Sequence, residues 1–317
     1  MTTVEEAELT PIETASGRIT RHAGILSGQL RSLGTALFPP AASKSLRSFS
    51  SGEVAKIVRV SDGYLRQLSL DGLGPSPAIG HGGRRSYTLA QINELRAYLA
   101  QARPREALDF FPRRRDGEKL QIITVANFKG GSAKTTTALY LAQYLALSGL
   151  RVLAIDLDPQ ASLSAMFGYQ PEFDIGQNET IYGAIRYDDQ RRPMRDVVRP
   201  TYFDGIGLVP GNLELMEFEH HTPRAMIERR ERGHDLFFRR VATAIDQVAD
   251  DYDVVVIDCP PQLGYLTMGA LNAATAMLVT IHPQMVDVAS MSQFLLMTSD
   301  LMSVIEEAGG RLDHDFI

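Results

Sequence analysis

Lys129-Gly130-Gly131-Ser132-Ala133-Lys134-Thr135-Thr136 places two lysines, two glycines and three hydroxyls within eight residues. An apolar run, Ile122–Ala126, precedes it, and a helical pattern follows. Glycines let successive backbone N–H groups turn inward around an anion, and the start of a helix adds its own unpaired N–H groups. The segment therefore reads as a phosphate-binding loop for ATP or ADP. Lys134 would reach the β- and γ-phosphates, and the Thr135 hydroxyl would bind Mg2+. The strict G-x-x-x-x-G-K-[ST] spacing fails, because Phe128 and Ala133 stand in the two glycine places. The deviant form K-G-G-x-x-K-[ST] fits, with an additional lysine at 129.

Two further segments carry carboxylates at the ends of apolar runs. Ala154-Ile155-Asp156-Leu157-Asp158-Pro159 supplies two, and Asp253-Val254-Val255-Val256-Ile257-Asp258-Cys259 ends in a third. In open α/β sheets ligands gather at the carboxyl ends of strands. Phosphoryl transfer to water needs a group to orient the nucleophile and a metal to spread charge. Asp158 suits the first role. Asp156 suits support of the metal shell, with a turn cap before Pro159 as the alternative. Asp258 would hold Mg2+ through water, and Gln262 and Gly264 would open a mobile loop that reports the γ-phosphate. Cys259 reads as a small buried filler. The seven histidines lack ligand spacing and are assigned no metal.

The elements that must position these groups follow from pattern. Continuous Val/Ile/Leu runs at 122–126, 151–155, 206–209, 254–257 and 277–281 mean strands buried on both faces. Helical patterns at 135–148, 235–250, 263–274 and 287–308 alternate with them, which predicts a doubly wound, mostly parallel α/β sheet over 120–317.

The front third differs. The whole chain carries a net charge of -6, yet residues 43–115 hold 13 basic against 6 acidic residues. That excess points to nucleic acid or to a solvated basic face. Residues 1–18 read as a polar tail. Ile19, Ala23, Leu26, Leu30, Leu33 and Leu37 recur at helical spacing, so 19–40 reads as an amphipathic helix ending at Phe38-Pro39-Pro40. Its stripe packs on its own domain or on a second copy, and the second is the expectation. Ser51–Val58 and Gly63–Leu70 form two short helices across a turn, followed by a glycine-rich stretch, Arg84-Arg85, and a helix from Leu89 to Gln101. This unit, 41–103, resembles the winged helix-turn-helix of MerR-like regulators. Tyr64, Arg66 and Gln67 would face DNA from the second helix, with Arg84 and Arg85 in the wing. Residues 104–119, with Arg113-Arg114-Arg115, read as a basic linker.

Together, "KGGSAKTTTALYLAQYLALSGLRVLAIDLDPQASLS" and "DVVVIDCPPQLGYLTMGALNAA" resemble the ParA branch of the ParA/MinD/Soj deviant Walker ATPases. The front domain is similar to that of the larger ParA form, which includes RepA proteins of replicon maintenance. The resemblance implies an ATP-hydrolysing homodimer in which Lys129 contacts the partner copy's nucleotide. It further implies non-specific DNA binding by the ATP form, hydrolysis stimulated by a ParB-type centromere-binding protein, and operator binding that represses its own operon. In the family the chain normally continues past the strand that Asp313–Ile317 enters, so adenine contacts are expected beyond residue 317. A nucleotide-switched regulator without a segregation role is the alternative. A MinD-like positioning ATPase fits less well, lacking a terminal amphipathic membrane helix and leaving the front domain unexplained. No secretory leader and no run of about 18 apolar residues is evident, so the expected setting is the cytoplasm, at the nucleoid, without a membrane partner.

Overall fold

Val152–Asp156 and Val254–Asp258 are apolar at every position before the last, so both faces of these strands must be covered. The computed structural model describes residues 14–37, 44–228, 236–310 and 315–316. It divides into two units, residues 1–44 and 45–317.

In the first unit, α1 (Ala15–Leu37) begins one turn before the expected Ile19. Ile19, Leu26, Leu30 and Leu33 are exposed along it. Of the expected tail 1–18, residues 15–18 form the first turn of α1 and residues 1–13 lie outside the described residues, as do Phe38-Pro39-Pro40 and the side chain of Leu37.

The second unit opens with β1 (Phe49–Ser50), α2 (Ser51–Ile57), α3 (Asp62–Leu70), β2 (Ala78–Ile79), β3 (Arg85–Tyr87) and α4 (Leu89–Ala102). Local chemistry fixes the helix starts. Ser50 with Glu53 and Thr88 with Gln91 form capping boxes, and the Ser61 hydroxyl accepts from Tyr64 N–H. β2 and β3 pair antiparallel, Ala78 opposite Ser86 and Ile79 opposite Arg85, which is the expected hairpin wing. A short α5 (Ala107–Phe110) follows.

The nucleotide-fold region then runs β4 (Gln121–Ala126), α6 (Lys134–Leu147), β5 (Val152–Asp156), α7 (Ser162–Met166), α8 (Pro171–Asp174), α9 (Ile181–Ile185), β6 (Arg199–Pro200) and β7 (Ile206–Val209). It continues with α10 (Met216–Ile227), α11 (Arg240–Asp246), β8 (Val254–Asp258), α12 (Tyr265–Ala273), β9 (Ala276–Val279), α13 (Met285–Glu307) and β10 (Asp315–Phe316). Among the described residues the sheet order is β10-β9-β4-β8-β5-β7-β6, parallel except for β6 on β7. β8 lies between β4 and β5, so the β4–α6–β5 crossover passes over it. Ligand chemistry in such sheets belongs at that reversal. The helix expected over 235–250 is shorter, because 3-10 turns flank α11. The elements α7 to α10 and β6 escaped the sequence reading. Most are four or five residues long, too short for a periodic pattern.

Alternate residues of the strands feed two cores. Leu153, Ile155, Val255 and Ile257 join α9 to α13 on one face. On the other, Val152, Ala154, Val254 and Val256 meet Ala138, Ala142 and Ala146 of α6, and that core is continuous with Val54, Leu65, Ile92, Leu95 and Leu99 of the front region. Where the sequence reading sets a separate domain 41–103 and a linker 104–119, the structure packs both into one unit with the sheet.

A buried arginine makes the joint. Arg96 of α4 is 2% exposed and donates to the Leu147 carbonyl at the end of α6 (2.8 Å) and to Asn93 (3.1 Å). Asn93 in turn donates to Asp204 at 2.8 Å. A cation at a helix C-terminus also meets the negative end of the helix dipole. Gly149 admits this packing, since a Cβ there would lie 3.1 Å from the Arg96 side chain. Burial pulls the guanidinium down to about 10, still charged at neutral pH. The expected basic linker is likewise engaged. Arg113, the Arg114 N–H and Arg151 converge on buried Asp253 at 2.7–3.3 Å, and Arg115 pairs with Glu118. Much of the basic excess at 96–115 thus serves the fold. Arg96→Ala should lower unfolding free energy by about 2–4 kcal/mol, from a lost buried hydrogen bond plus a cavity. The midpoint of urea denaturation checks it; an unchanged midpoint would refute the joint.

Candidate nucleotide site

β4 ends at Ala126, and the chain turns at once into the phosphate loop. Asn127 braces that turn: its Nδ2 donates to the Thr280 carbonyl beyond β9 (2.5 Å), and its Oδ1 accepts the Lys129 N–H (3.0 Å). Gly131 (φ 75°) and Ala133 (φ 64°) both take the left-handed conformation, and α6 begins at Lys134. For alanine that costs about 1 kcal/mol, which the fixed loop must sustain. Ser132 is buried, its Oγ 3.1 Å from Thr280 Oγ1. Gly130, Gly131, Ala133 and Thr136 face outward, and Thr135 is half-buried.

Lys134 is 7% exposed, and its Nζ donates to the Lys129 carbonyl across the loop at 3.2 Å. Burial pulls it below the usual lysine range, and the charges of Asp258 and Asp158 only partly restore it. The Lys129 side chain does not share that pocket; it is ion-paired with Asp287 in the first turn of α13.

The three aspartates diverge in role. Asp156 and Asp258 are register partners on β5 and β8, so their carboxyls emerge side by side at the carboxyl edge. Asp156 is fully buried and occupied. It accepts Ser164 N–H (2.8 Å), Ser164 Oγ–H (2.7 Å) and Asp158 N–H (3.2 Å). Burial still pushes it up to about 6. These bonds match the turn cap that the sequence left open as the alternative to support of the metal shell. The Asp156 oxygens hold the Asp158–Ser164 turn, which Gly211 N–H joins through Ser164 Oγ at 2.9 Å.

Asp258 is the opposite case. It is wholly buried, and neither carboxylate oxygen has a hydrogen-bond partner. Burial first, and the charge of Asp156 second, push it up to about 8, against the lowering influence of the Thr135 hydroxyl. A buried carboxylate without donors is costly unless a cation joins it. Thr135 and Asp258 together offer hard oxygen ligands, the donor set that Mg2+ takes. Asp158 is partly exposed, anchored through Gln160 N–H at 2.9 Å, and close enough for its charge to act on Lys134 and Asp258. Cys259 is buried, and burial pushes its thiol up, so it is the expected filler.

At the Gln262–Gly264 segment the Gln262 carbonyl accepts the Thr267 hydroxyl at 2.6 Å. Glu219 of α10 accepts Tyr265 N–H and Leu266 N–H, both at 2.9 Å, capping α12 from outside. Gly264 makes room for it, since a Cβ would lie 2.6 Å from the carboxylate. Glu219, Asn127, Ser164 and Asp287 were not singled out from sequence. Asn127 had a signal, being the polar residue that opens the loop, and Ser164 lies eight residues past Asp156; Glu219 and Asp287 lie far off along the chain. His221 pairs with Tyr182 (2.9 Å) beside a cavity of about 550 Å³ that includes no phosphate-loop residue. No His/Cys/Asp/Glu metal cluster occurs among the described residues. The apolar α13 is long enough to cross a membrane by length and composition, but it seats Phe294 and Ile305 in the sheet core.

In the front region Arg66 and Arg84 are exposed, as expected. Gln67 donates to Asp71 at 2.7 Å. Tyr64 is half-covered by the Arg103 guanidinium, 4.8 Å from its ring, so it is a packing residue rather than a fully outward one. Arg85 Nε donates to Ser69 Oγ of α3 at 3.3 Å, tying the wing to that helix.

A phosphate loop and a bare Walker-type aspartate at the switch of a parallel sheet define a P-loop nucleotide-binding protein. Residues 120–308 match the family described as AAA domain. A Rhizobium rhizogenes protein named replication protein A is 54% identical over 297 residues, covering 94% of this chain and 73% of that protein. The chromosome partitioning protein ParA of Myxococcus xanthus is 35% identical over 182 residues, 57% of this chain and 59% of that one. A solved "Partition Protein" aligns over 93% of this chain and 81% of its own, with TM-score 0.64 and 24% identity, a likeness of fold. Cobyrinic acid a,c-diamide synthase from Mycobacterium smegmatis, solved with an ATP analog and magnesium, aligns with TM-score 0.51 and 30% identity over 58% of this chain and 67% of that one. The chain belongs to the ParA-type partition ATPase family.

The burial of Asp258 sets a pH dependence. Its folded value lies above the ordinary 3.8, so native protein holds a proton that the unfolded chain releases. Stability of the nucleotide-free protein should therefore fall as pH rises from about 4 to about 8. Asp258→Asn should remove that part of the slope and raise Tm at pH 8 while leaving pH 4 nearly unchanged. Thermal melts across pH test it, and parallel slopes for the two proteins would contradict it.

Proposed function

We propose that this chain is a segregation ATPase of a replicon. It binds ATP with Mg2+, hydrolyses it, and uses the nucleotide to govern pairing of two copies and their hold on DNA. The observation that carries this reading is the deviant phosphate loop, with its second lysine at 129, set beside the unpartnered carboxylate of Asp258. Lys134 and the N–H groups of 130–136 would take the phosphates. Thr135 and Asp258 would hold Mg2+, which neutralises charge on the transferring phosphoryl group. Asp158 would orient the attacking water.

The front region would bind an operator, with α3 in the major groove and the wing on phosphate, and so repress its own operon. α1 would pair two such regions through its apolar stripe. A ParB-type centromere-binding protein would stimulate hydrolysis and release DNA. The partition names of relatives and the exposed Arg66 and Arg84 of the front region support these assignments.

Lys134→Ala and Asp258→Ala should each cut ATP hydrolysis by about 100-fold or more. Asp158→Ala should keep ATP binding and lose turnover by a similar factor. Phosphate release together with nucleotide titration separates the two classes, and near-normal turnover in any of the three would overturn the assignments.

Reading and holding of DNA are separable. Arg66→Ala should cost about 1–3 kcal/mol and relax specificity at one operator position. Arg84→Ala should weaken all sequences alike and reduce the salt slope by about one phosphate. Operator titrations at several salt concentrations decide; unchanged binding in both variants removes the DNA-reading role.

A further inference from the structure

Lys129 occupies an unusual position. Its backbone is fixed from both sides, its N–H by Asn127 Oδ1 at 3.0 Å and its carbonyl by Lys134 Nζ at 3.2 Å. Only the side chain is left to move. That side chain is 40% exposed and reaches out of the loop to Asp287, whose own side chain is 4% exposed. Phe128, the preceding residue, packs on Phe294 of the same helix with ring centroids 5.8 Å apart, so loop and helix are already in register.

The geometry points to Asp287 as a latch for Lys129: a positioning residue that holds the lysine within its own chain and gives it up when a second copy presents ATP. The inference rests on the pairing proposed above and assigns a residue that controls it. A triphosphate carries several negative charges, whereas Asp287 offers one, so the nucleotide outcompetes the latch once it is in reach. Release is tolerable at the other end. Asp287 lies in the first turn of α13, a 23-residue helix, and the positive end of the helix dipole continues to face it after Lys129 leaves. Before release, the ion pair opposes pairing of copies, because each lysine must be drawn from a carboxylate first. The latch thus sets a threshold against association without ATP.

Two measurements on the full chain test it. In the nucleotide-free protein, acetylation by an amine-reactive N-hydroxysuccinimide ester, read by mass spectrometry, should be several-fold faster at Lys129 in Asp287→Asn than in wild type. Exposed Lys119 should react equally in both. Equal rates at Lys129 overturn the latch whatever the nucleotide chemistry. With ATP and Mg2+, size-exclusion with light scattering should show Asp287→Asn pairing at about five-fold lower protein concentration, the scale of one partly exposed ion pair. Asp287→Glu should behave as wild type, and Lys129→Ala should erase the difference that Asp287→Asn makes. Unchanged or weaker pairing in Asp287→Asn, or a difference that persists in Lys129→Ala, overturns it. If the labelling difference appears but neither protein pairs with ATP, the latch stands and the proposed dimerising ATPase falls.

Discussion

The burial of one bare carboxylate governs the arrangement around it. Asp258 ends a strand that is covered on both faces, its oxygens have no donors, and its register partner on the next strand is another acid. Two adjacent buried acids can coexist only if their environments differ. Asp156 is given three hydrogen bonds and becomes part of the frame. Asp258 is given none, so burial favours its protonated form until a cation takes the proton's place. Lys134 sits close enough for mutual influence, but it spends its hydrogen bond on the loop. A divalent cation at Asp258 would replace that proton, which is the physical basis for Mg2+ with a nucleotide.

The same economy extends outward. The phosphate loop is held at Asn127 and Ser132, both tied to Thr280 beyond a neighbouring strand, so its left-handed residues are imposed by the sheet. α6 carries the loop at one end and at the other receives Arg96 from the front region. One helix therefore spans from the phosphates to the proposed DNA-reading part. Its two ends suit opposite charges, anion at the start and guanidinium at the finish, as the helix dipole requires. The buried aspartate at 253 then fixes the connecting segment through Arg113, Arg114 and Arg151.

Much of this was legible in the residues. Unbroken apolar runs gave strands at nearly the observed limits, since burial on both faces leaves no room for polar alternation. The phosphate loop is a local object made of consecutive backbone, so its sequence nearly suffices to describe it. The caps Ser50, Ser61 and Thr88 are local too, and the front helices fall where they were expected.

What remained hidden is non-local. Sequence placed aspartates at and just past strand ends but could not tell their environments apart, because the hydrogen bonds on Asp156 need a turn that folds Ser164 back, and Gly211, beyond β7, holds that turn. It read Arg113 and Arg114 as part of a basic linker, whereas Asp253, about 140 residues away, makes them structural. It gave Lys129 a partner in another copy but not its partner at home, Asp287. Charge signs and periodicity are written in the chain. Which charges meet, and which of them lose water, is settled only when distant segments pack, because desolvation and pairing energies exist only at those contacts.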